Sequence, residues 1–287
     1  MPNLKDIQRR IVSVKKTQQI TRAMRMVAGA KLRRAQTAIE AARPYAERMS
    51  ATLGEIARSG IEAGHPLLEG RDSVAKLEIV VVTSDRGLCG GFNSSAIRRA
   101  QAIITEREAS VEELVITTAG RKGRDYFRYR RAAQMGEHYG LETWVDYGLA
   151  AEIASRLSRR YADGEVDEVV LVYNEFVSVM TQTPRGAPLL PFRAAEGDER
   201  AESLPYEIEP SPEALLAALV PKAVEVAVFR ALLENQAGEH AARMAAMESA
   251  TRNTEDLIDS LTMQFNRARQ AAITKELVEI VSGAEAL

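Results

Sequence analysis

The residues most suggestive of chemistry form a glycine-rich loop, Gly87-Leu-Cys-Gly-Gly91, which follows an apolar run from Leu77 to Thr83. A strand, a glycine-rich loop and a helix in this order cradle the phosphates of many nucleotides. The spacing here matches neither G-x-G-x-x-G nor a P-loop, because no Gly-Lys-Ser/Thr follows. A structural or contact loop is therefore favoured, and a nucleotide-binding α/β enzyme stays open as an alternative.

Cys89 in this loop is the only cysteine of the chain, so it has no partner for an internal disulfide. A nucleophilic thiol needs a nearby base, but His65, His138 and His240 stand in unrelated sequence contexts. We predict a packed or interface thiol. The same scarcity of Cys and His predicts that no metal site is formed in this chain.

The charge of the chain is unevenly distributed. The net charge is −2, but residues 1–60 carry 13 basic and 4 acidic side chains, and residues 7–39 carry nine Lys or Arg and no Asp or Glu. Such a basic end predicts a specific acidic partner surface. A basic coiled coil that binds nucleic acid is the second alternative. No run of about 18 uncharged apolar residues is present, so no membrane insertion is predicted.

A seven-residue repeat runs along the N-terminal segment and is typical of a coiled coil. One row of the predicted seam is Ile7, Val14, Thr21, Ala28, Ala35, Ala42, Met49 and Ile56. The small residues in the middle of this row would let a second helix approach closely. Pro44 falls on the outward side, where a kink is favoured over a stop.

The C-terminal segment carries a matching repeat. Ser211, Pro212 and Glu213 are typical of a helix start, and Pro221 is a possible break. Gly238 costs about 1 kcal/mol relative to Ala in a helix, so packing must favour it there. Apolar residues continue almost to the chain end, which predicts that other chains enclose this tip.

The middle segment alternates strands with helices. The runs "KLEIVVVT", "VEELVITTAG" and "DEVVLVYNEF" predict buried strands, and "LAAEIASRLSRRY" predicts a helix. A further helix is expected to be capped near Asn93 or Ser94. Together these predict a mainly parallel sheet, with "VSVMTQTPRGAPLLPF" as an edge hairpin arm. The predicted organisation is an N-terminal coiled-coil helix (1–60), an inserted Rossmann-like α/β domain (61–207) and a C-terminal coiled-coil helix that pairs with the first (208–287).

Four stretches in order, "ITRAMRMVAGAKLRRAQ", "TSDRGLCGGFN", "EHAARMAAMESATRN" and "FNRARQAAITKELVEIVSGA", show that the chain resembles the gamma subunit family of bacterial F-type ATP synthase. Gly238 departs from the serine usual in that family. The resemblance implies an α/β fold with a long antiparallel coiled coil formed by the two terminal helices. It also implies a non-catalytic rotor of the central stalk, which couples proton flow to conformational cycling of the catalytic beta subunits.

The resemblance further implies the partners and the location. The partners are three alpha and three beta subunits of the head, the epsilon subunit and the ring of c subunits, with no nucleic acid. The chain would be peripheral at the cytoplasmic face of the bacterial inner membrane, and the nucleotide sites would lie on partner subunits.

By position, the resemblance implies three groups of contact residues. Contacts to the beta subunits are expected at Met24, Arg243, Arg269, Gln270 and Thr274, and the basic stretch adds Arg33 and Arg34. Met24 is expected near Arg243 where the helices cross, with simple coiled-coil packing as the alternative. Ile280 and Val281 are expected in an apolar bearing. Asp85, Arg86, Gly87 and Cys89 are expected near the acidic loop of beta.

Overall fold

The computed structural model describes residues 4–58, 65–141, 144–193 and 211–285. Two long helices, α1 (Leu4–Arg58) and α5 (Pro212–Glu285), account for the predicted terminal segments. Each continues through its internal proline, so the possible break at Pro221 does not occur. The Ser211 Oγ accepts a hydrogen bond from the Ala214 N–H at 3.3 Å, which confirms the predicted start of α5. Within the described residues, no helix combines the length and apolarity needed to cross a membrane.

A five-stranded sheet lies between these helices in the sequence. Its elements in chain order are β1 (Lys76–Val82), α2 (Phe92–Arg107), β2 (Glu113–Ala119), α3 (Arg121–Arg130), β3 (Met135–Tyr139), α4 (Tyr147–Ala162), β4 (Glu168–Phe176) and β5 (Gln182–Leu190). The strand order is β3-β2-β1-β4-β5. The first four strands pair in parallel, and β5 pairs antiparallel with β4 at the edge. The predicted mainly parallel sheet with an edge hairpin is confirmed.

The chain divides into two compact units, of which the first comprises Met1–Gly29 and Arg243–Leu287. In this unit, Thr21 Oγ1 lies 2.8 Å from Thr251 Oγ1, and Arg25 forms an ion pair with Glu248. A Cβ at Gly29 would lie 3.3 Å from the Met244 Sδ. Later residues of α1 thus contact earlier residues of α5, so the two helices run antiparallel. Predicted seam residues Ile7, Thr21 and Ala28 are buried there.

The second unit, Ala30–Ala242, contains the sheet. Successive residues of β1 point to opposite faces, and both faces are covered. Val80 and Val82 belong to one apolar cluster with Ile153 of α4 and Leu232 of α5. On the other face, Ile79 and Val81 pack in a second cluster with α2 residues including Ile104. Burial on both sides explains why β1 is a continuous apolar run in the sequence.

One charged residue interrupts this apolar strand. Glu78 is fully buried in β1, where its carboxylate forms ion pairs with Arg156 at 2.9 Å and with Arg160. The Thr117 hydroxyl donates a further hydrogen bond to Glu78 at 2.6 Å. A buried carboxylate needs such partners to offset its lost hydration. These contacts tie β1, β2 and α4 together.

Candidate functional site

The glycine-rich loop connects β1 to α2 and turns through two left-handed residues. Leu88 has φ 62° and Gly90 has φ 57°, whereas Gly91 has an ordinary φ of −82° as the N-cap of α2. A left-handed conformation is unusual for a bulky residue such as leucine. The Leu88 side chain is 63% exposed, so the turn presents an apolar group outward.

The Asp85 side chain connects this loop to two neighbouring loops. Its carboxylate accepts hydrogen bonds from the Arg121 N–H at 2.6 Å and from the Leu141 N–H at 3.1 Å. The loops that follow β1, β2 and β3 are therefore joined through one side chain. Arg86 beside it is exposed, and Gly87 is half-buried.

Cys89 is 2% exposed and points into the loop. Asn93 donates a hydrogen bond from Nδ2 to the Cys89 Sγ at 3.3 Å, and Asn93 Oδ1 accepts one from the Ser84 N–H at 2.8 Å. The prediction that Asn93 or Ser94 caps α2 is therefore wrong, because Gly91 occupies the N-cap without a side-chain cap and Asn93 closes the loop instead. The structure places the thiol in a packed position.

Each of the three histidines is engaged in its own surroundings. His65 Nδ1 accepts a hydrogen bond from the Leu67 N–H at 3.2 Å, and burial lowers the pKa of His65. His138 Nδ1 lies 3.1 Å from Thr118 Oγ1. The His240 ring packs edge-on against Trp144 at 6.3 Å between ring centroids. Among the described residues, no group of three His, Cys, Asp or Glu side chains is placed to hold a metal ion.

The two arginines of the basic stretch differ in their surroundings. Both are exposed, but the Arg34 guanidinium lies 3.9 Å from the centroid of the Trp144 ring. Stacking of this kind is a cation–π contact. The Lys31 ammonium also lies over that ring, at 5.9 Å. Arg34 thus has a contact within its own chain that the sequence did not indicate.

Five of the predicted beta-contact residues belong to the first unit. Met24 and Arg243 are half-buried, whereas Arg269, Gln270 and Thr274 are exposed. The Thr274 hydroxyl donates to the Gln270 carbonyl oxygen at 2.9 Å, which satisfies it within the helix. Next to Met24 in the sequence, Arg25 forms an ion pair with Glu248, and the hydrogen bond from Arg25 lowers the pKa of Glu248.

The last turns of α5 present a large apolar surface, which we call the apolar tip. It comprises Ile273, Leu277, Val278, Ile280 and Val281, whose exposures range from 50% to 68%. Extending the register of the helix pair places Leu4, the first residue of α1, opposite Ala268. The apolar tip lies beyond this level. An exposed apolar patch of this kind marks an interaction site.

Sequence reasoning missed how α5 holds the sheet within the second unit. Asn235 Nδ2 donates a hydrogen bond to the Thr83 carbonyl oxygen at the end of β1, at 3.2 Å. A Cβ at Gly238 would lie 2.9 Å from Phe92 Cε2 and 3.3 Å from Gln182 Cγ. The glycine is therefore required by the close approach of the Phe92 ring. The one available signal was the unfavourable presence of glycine inside a long helix.

A long antiparallel helix pair with an inserted α/β sheet defines a stalk-type protein, and comparisons with known proteins agree. The ATP synthase family model matches residues 3–287. The ATP synthase gamma chains of Anaeromyxobacter sp. (strain Fw109-5) and Pelotomaculum thermopropionicum are 52% and 49% identical to this chain, each with 100% of both chains covered. The chain belongs to the ATP synthase gamma chain family.

Two solved structures share the fold. One is the central stalk and c-ring of the Tetrahymena thermophila mitochondrial ATP synthase, with a TM-score of 0.62 and 25% identity over 80% of this chain and 99% of that chain. The other is a Euglena gracilis mitochondrial ATP synthase in rotational state 3, with a TM-score of 0.70 and 20% identity over 99% and 94% of the two chains. The predicted fold class and family are thereby confirmed, and they take precedence over the nucleic-acid and nucleotide-enzyme alternatives.

Proposed function

We propose that this chain is the rotor of the central stalk of ATP synthase, turning between a ring of c subunits and a head of three alpha and three beta subunits. Family membership makes it a subunit of that enzyme complex. In this proposal the chain itself is non-catalytic, holds no cofactor and contacts the epsilon subunit near the sheet. The observation that carries the proposal is the apolar tip of α5.

The apolar tip is costly unless something covers it. Burying one Val, Leu or Ile side chain fully is worth about 1.5–3 kcal/mol. Five such side chains are at least half exposed in the last turns of α5. Enclosure by the head would recover this free energy without demanding directional contacts. A sleeve of apolar side chains around Ile280 and Val281 would therefore act as a bearing in which the helix turns.

The proposed mechanism depends on asymmetry. A single helix pair cannot contact three identical beta subunits identically, so each rotary position favours a different conformation of each beta subunit. A tenfold difference in nucleotide affinity requires about 1.4 kcal/mol. Exposed ion pairs supply at most about 1 kcal/mol each. Steric contact with the stiff helices would therefore carry most of the coupling, and charge would guide it.

The exposure of each side chain indicates how it would contribute to the proposed contacts. The exposed side chains available to the beta subunits are those of Arg33, Arg34, Arg269, Gln270 and Thr274. Met24 and Arg243 are half-buried and would contribute through packing near the crossing of the helices.

In the glycine-rich loop, Arg86 and Leu88 present exposed side chains toward the acidic loop of beta. Asp85, Gly87 and Cys89 would hold that loop in shape.

The location and organisation follow the same proposal. The chain would associate peripherally with the membrane complex at the cytoplasmic face of the bacterial inner membrane. Residues 1–60 and 208–287 would act together as the shaft, and residues 61–207 would form the foot against epsilon and the c ring.

Two truncations of the chain, assembled with the other subunits in membrane vesicles, test the proposal. Removal of residues 283–287 should weaken assembly modestly, because the apolar tip stays. Removal of residues 270–287 should abolish most proton-driven ATP synthesis, because the tip is lost. ATP synthesis and proton-pumping rates are measured per assembled complex. Equal synthesis rates for the two truncations would contradict the proposed bearing.

A further inference from the structure

Two threonines lie buried against each other in the helix pair of the first unit. Thr21 of α1 and Thr251 of α5 are 8% and 7% exposed, and their Oγ1 atoms lie 2.8 Å apart. Among the described residues of that unit, the other buried side chains are apolar and belong to Ile7, Ala28, Met247 and Leu261. A hydrogen bond between two hydroxyls is directional, whereas the apolar contacts around it are not.

Each of these hydroxyls also has an acceptor within its own helix. The Thr21 Oγ1 lies 3.0 Å from the Gln18 carbonyl oxygen, and the Thr251 Oγ1 lies 2.8 Å from that of Met247. One hydroxyl therefore donates across the seam while the other donates within its helix, so both protons are used. If the pair were separated, both hydroxyls could still donate within their own helices. Separation thus costs only the bond across the seam, and the pair adds little to stability beyond that bond.

The seven-residue repeat by itself permits more than one alignment of the two helices, which we call registers. A shift of one repeat moves one helix about 10 Å along the other. It would place Thr21 opposite Ile258 in one direction and opposite Met244 in the other. Thr251 would likewise face an apolar residue of α1. Neither shifted register offers the threonines a hydrogen-bond partner across the seam, so the threonine pair distinguishes the observed register from both.

An ion pair one turn away contributes more weakly to this choice. Arg25 pairs with Glu248, and the Arg252 Nε lies 3.4 Å from the same carboxylate. The Arg25 and Glu248 side chains are 42% and 34% exposed, so water and salt screen their attraction. A shift of one repeat would also offer Arg25 another carboxylate, that of Glu255. The ion pair alone therefore does not fix the register.

From these contacts we infer that Thr21 and Thr251 are positioning residues that select the register of the helix pair, with the neighbouring ion pair as a secondary contribution. A buried polar residue fixes the register of coiled coils in the same way, at some cost in stability. The selection of register concerns the chain itself, whereas its consequence rests on the proposed function. In the rotor, a single register would keep Met24 of α1 and Arg243 of α5 at a fixed height relative to each other, so that both act on the same beta subunit.

Disulfide cross-linking of the full-length chain measures the register. Val14 lies opposite Ile258 in the observed register and would lie opposite Phe265 after a shift of one repeat. Val14→Cys is combined with Ile258→Cys or with Phe265→Cys, and both double variants are oxidised under the same conditions. The native Cys89 is 2% exposed and stays in place. We expect the Ile258→Cys pair to close about tenfold faster, because an offset of about 10 Å exceeds the reach of a disulfide.

The test variant combines Thr21→Val with Thr251→Val. Valine has nearly the same shape as threonine, so the stability of the chain against denaturant should be unchanged or higher. The preference for the in-register cysteine pair should nevertheless fall by about two- to tenfold, which corresponds to one lost hydrogen bond. Thr21→Ser with Thr251→Ser keeps both hydroxyls and should retain the preference. The matched control is Thr17→Val with Thr262→Val, whose hydroxyls donate to carbonyl oxygens of their own helices, and it should change neither quantity.

Three outcomes would overturn the inference. The first is an unchanged preference in the valine variant, in which case apolar packing sets the register. The second is a loss of stability that accompanies the lost preference, in which case the threonines only hold the helices together. The third is an equal loss of preference in the matched control. The cross-linking needs no other subunit, so its failure would leave the proposed rotor function to be decided by the truncations.

Discussion

Two stretches of the same helix differ completely in how they are covered. From Ala231 to Ala241, every residue of α5 except Glu239 is buried, including the polar residues Asn235 and His240. From Thr262 to Ser282, a stretch that is described throughout, no residue is buried. We call these the enclosed stretch and the open stretch. The first is covered by its own chain, whereas the second carries apolar side chains that the described residues leave exposed.

Apolar content alone therefore does not identify a core. Both stretches carry leucine or isoleucine at helical spacing, and both continue the repeat of the coiled coil. Neighbouring elements distinguish them, because Thr83 after β1, Phe92 at the start of α2 and Gln182 at the start of β5 lie against the enclosed stretch. A helix that serves as a core in one place and as a partner surface in another suits a shaft that is held at one level and turns at another.

The largest expected difference comes from one leucine substitution in each stretch. Leu232→Ala in the enclosed stretch should lower the free energy of unfolding by about 2–5 kcal/mol, because it leaves a cavity in the core. Leu277→Ala in the open stretch should change it by less than about 0.5 kcal/mol. Denaturant unfolding of the isolated chain measures both.

In the assembled complex, the order of the two effects should reverse, because Leu277→Ala should then be the more damaging substitution. Leu277→Ala should slow proton-driven ATP synthesis by removing part of the apolar tip. A destabilised isolated chain for Leu277→Ala would show that the open stretch is covered by its own chain after all.

A second prediction concerns the glycine of the enclosed stretch. Gly238→Val should lower the free energy of unfolding by about 1–3 kcal/mol, because its side chain would overlap the Phe92 ring. In a Phe92→Ala background the additional loss should shrink, since the overlapping ring is gone. A double-mutant cycle measured by denaturant unfolding gives this coupling. Additive losses would mean that the ring does not explain the glycine.

This glycine also shows what the sequence could and could not predict. The repeat from Ile7 to Ile56 identified the seam, and the apolar runs identified β1, β2 and β4, because periodicity reports local geometry. The partners of Gly238 and Asn235 lie in distant parts of the sequence, so no local pattern could identify them. Helix α3 was not predicted because only Gly123 and Phe127 of its residues are buried, which leaves no apolar repeat.

The candidate site shows the same limit. The resemblance identified the glycine-rich loop, but the loop's internal contacts decide which side chains face outward. Asn93 reads as a helix cap and instead binds Ser84 and Cys89. The sequence alone suggests that Arg34 is a surface charge without an aromatic contact. In the structure its guanidinium stacks on Trp144, which lies about 110 residues later in the chain, so no local pattern could indicate this contact.

A smaller effect is expected where Trp144 covers His240 at the end of the enclosed stretch. Arg34→Ala should lower the free energy of unfolding by about 0.5–1 kcal/mol through loss of the cation–π contact. Because Trp144 is the only tryptophan, its fluorescence should shift in this variant. Arg33→Ala is the matched control and should leave the fluorescence unchanged. Identical spectra for both variants would argue against the stacking.

The smallest effect concerns Tyr173, whose pKa burial raises to about 12, with the nearby Glu234 of the enclosed stretch adding to the shift. A phenol in the unfolded chain ionises near pH 10. The folded protein therefore binds the proton more tightly between about pH 10 and 12, so this stabilising contribution is lost as pH rises through that range. Tyr173→Phe should make alkaline unfolding less steep in titrations followed by circular dichroism. An unchanged slope would place the ionisation elsewhere.

The first compact unit is built from the two ends of the chain, Met1–Gly29 and Arg243–Leu287. During synthesis, its N-terminal half emerges first and must wait for a partner that lies about 210 residues downstream. At roughly 5–20 residues per second, this delay is on the order of 10–40 seconds. Ile7 and Ala28, which the finished unit buries, have no native partner throughout that interval. The nine positive charges of residues 7–39 would keep nascent helices from clustering with one another while they wait.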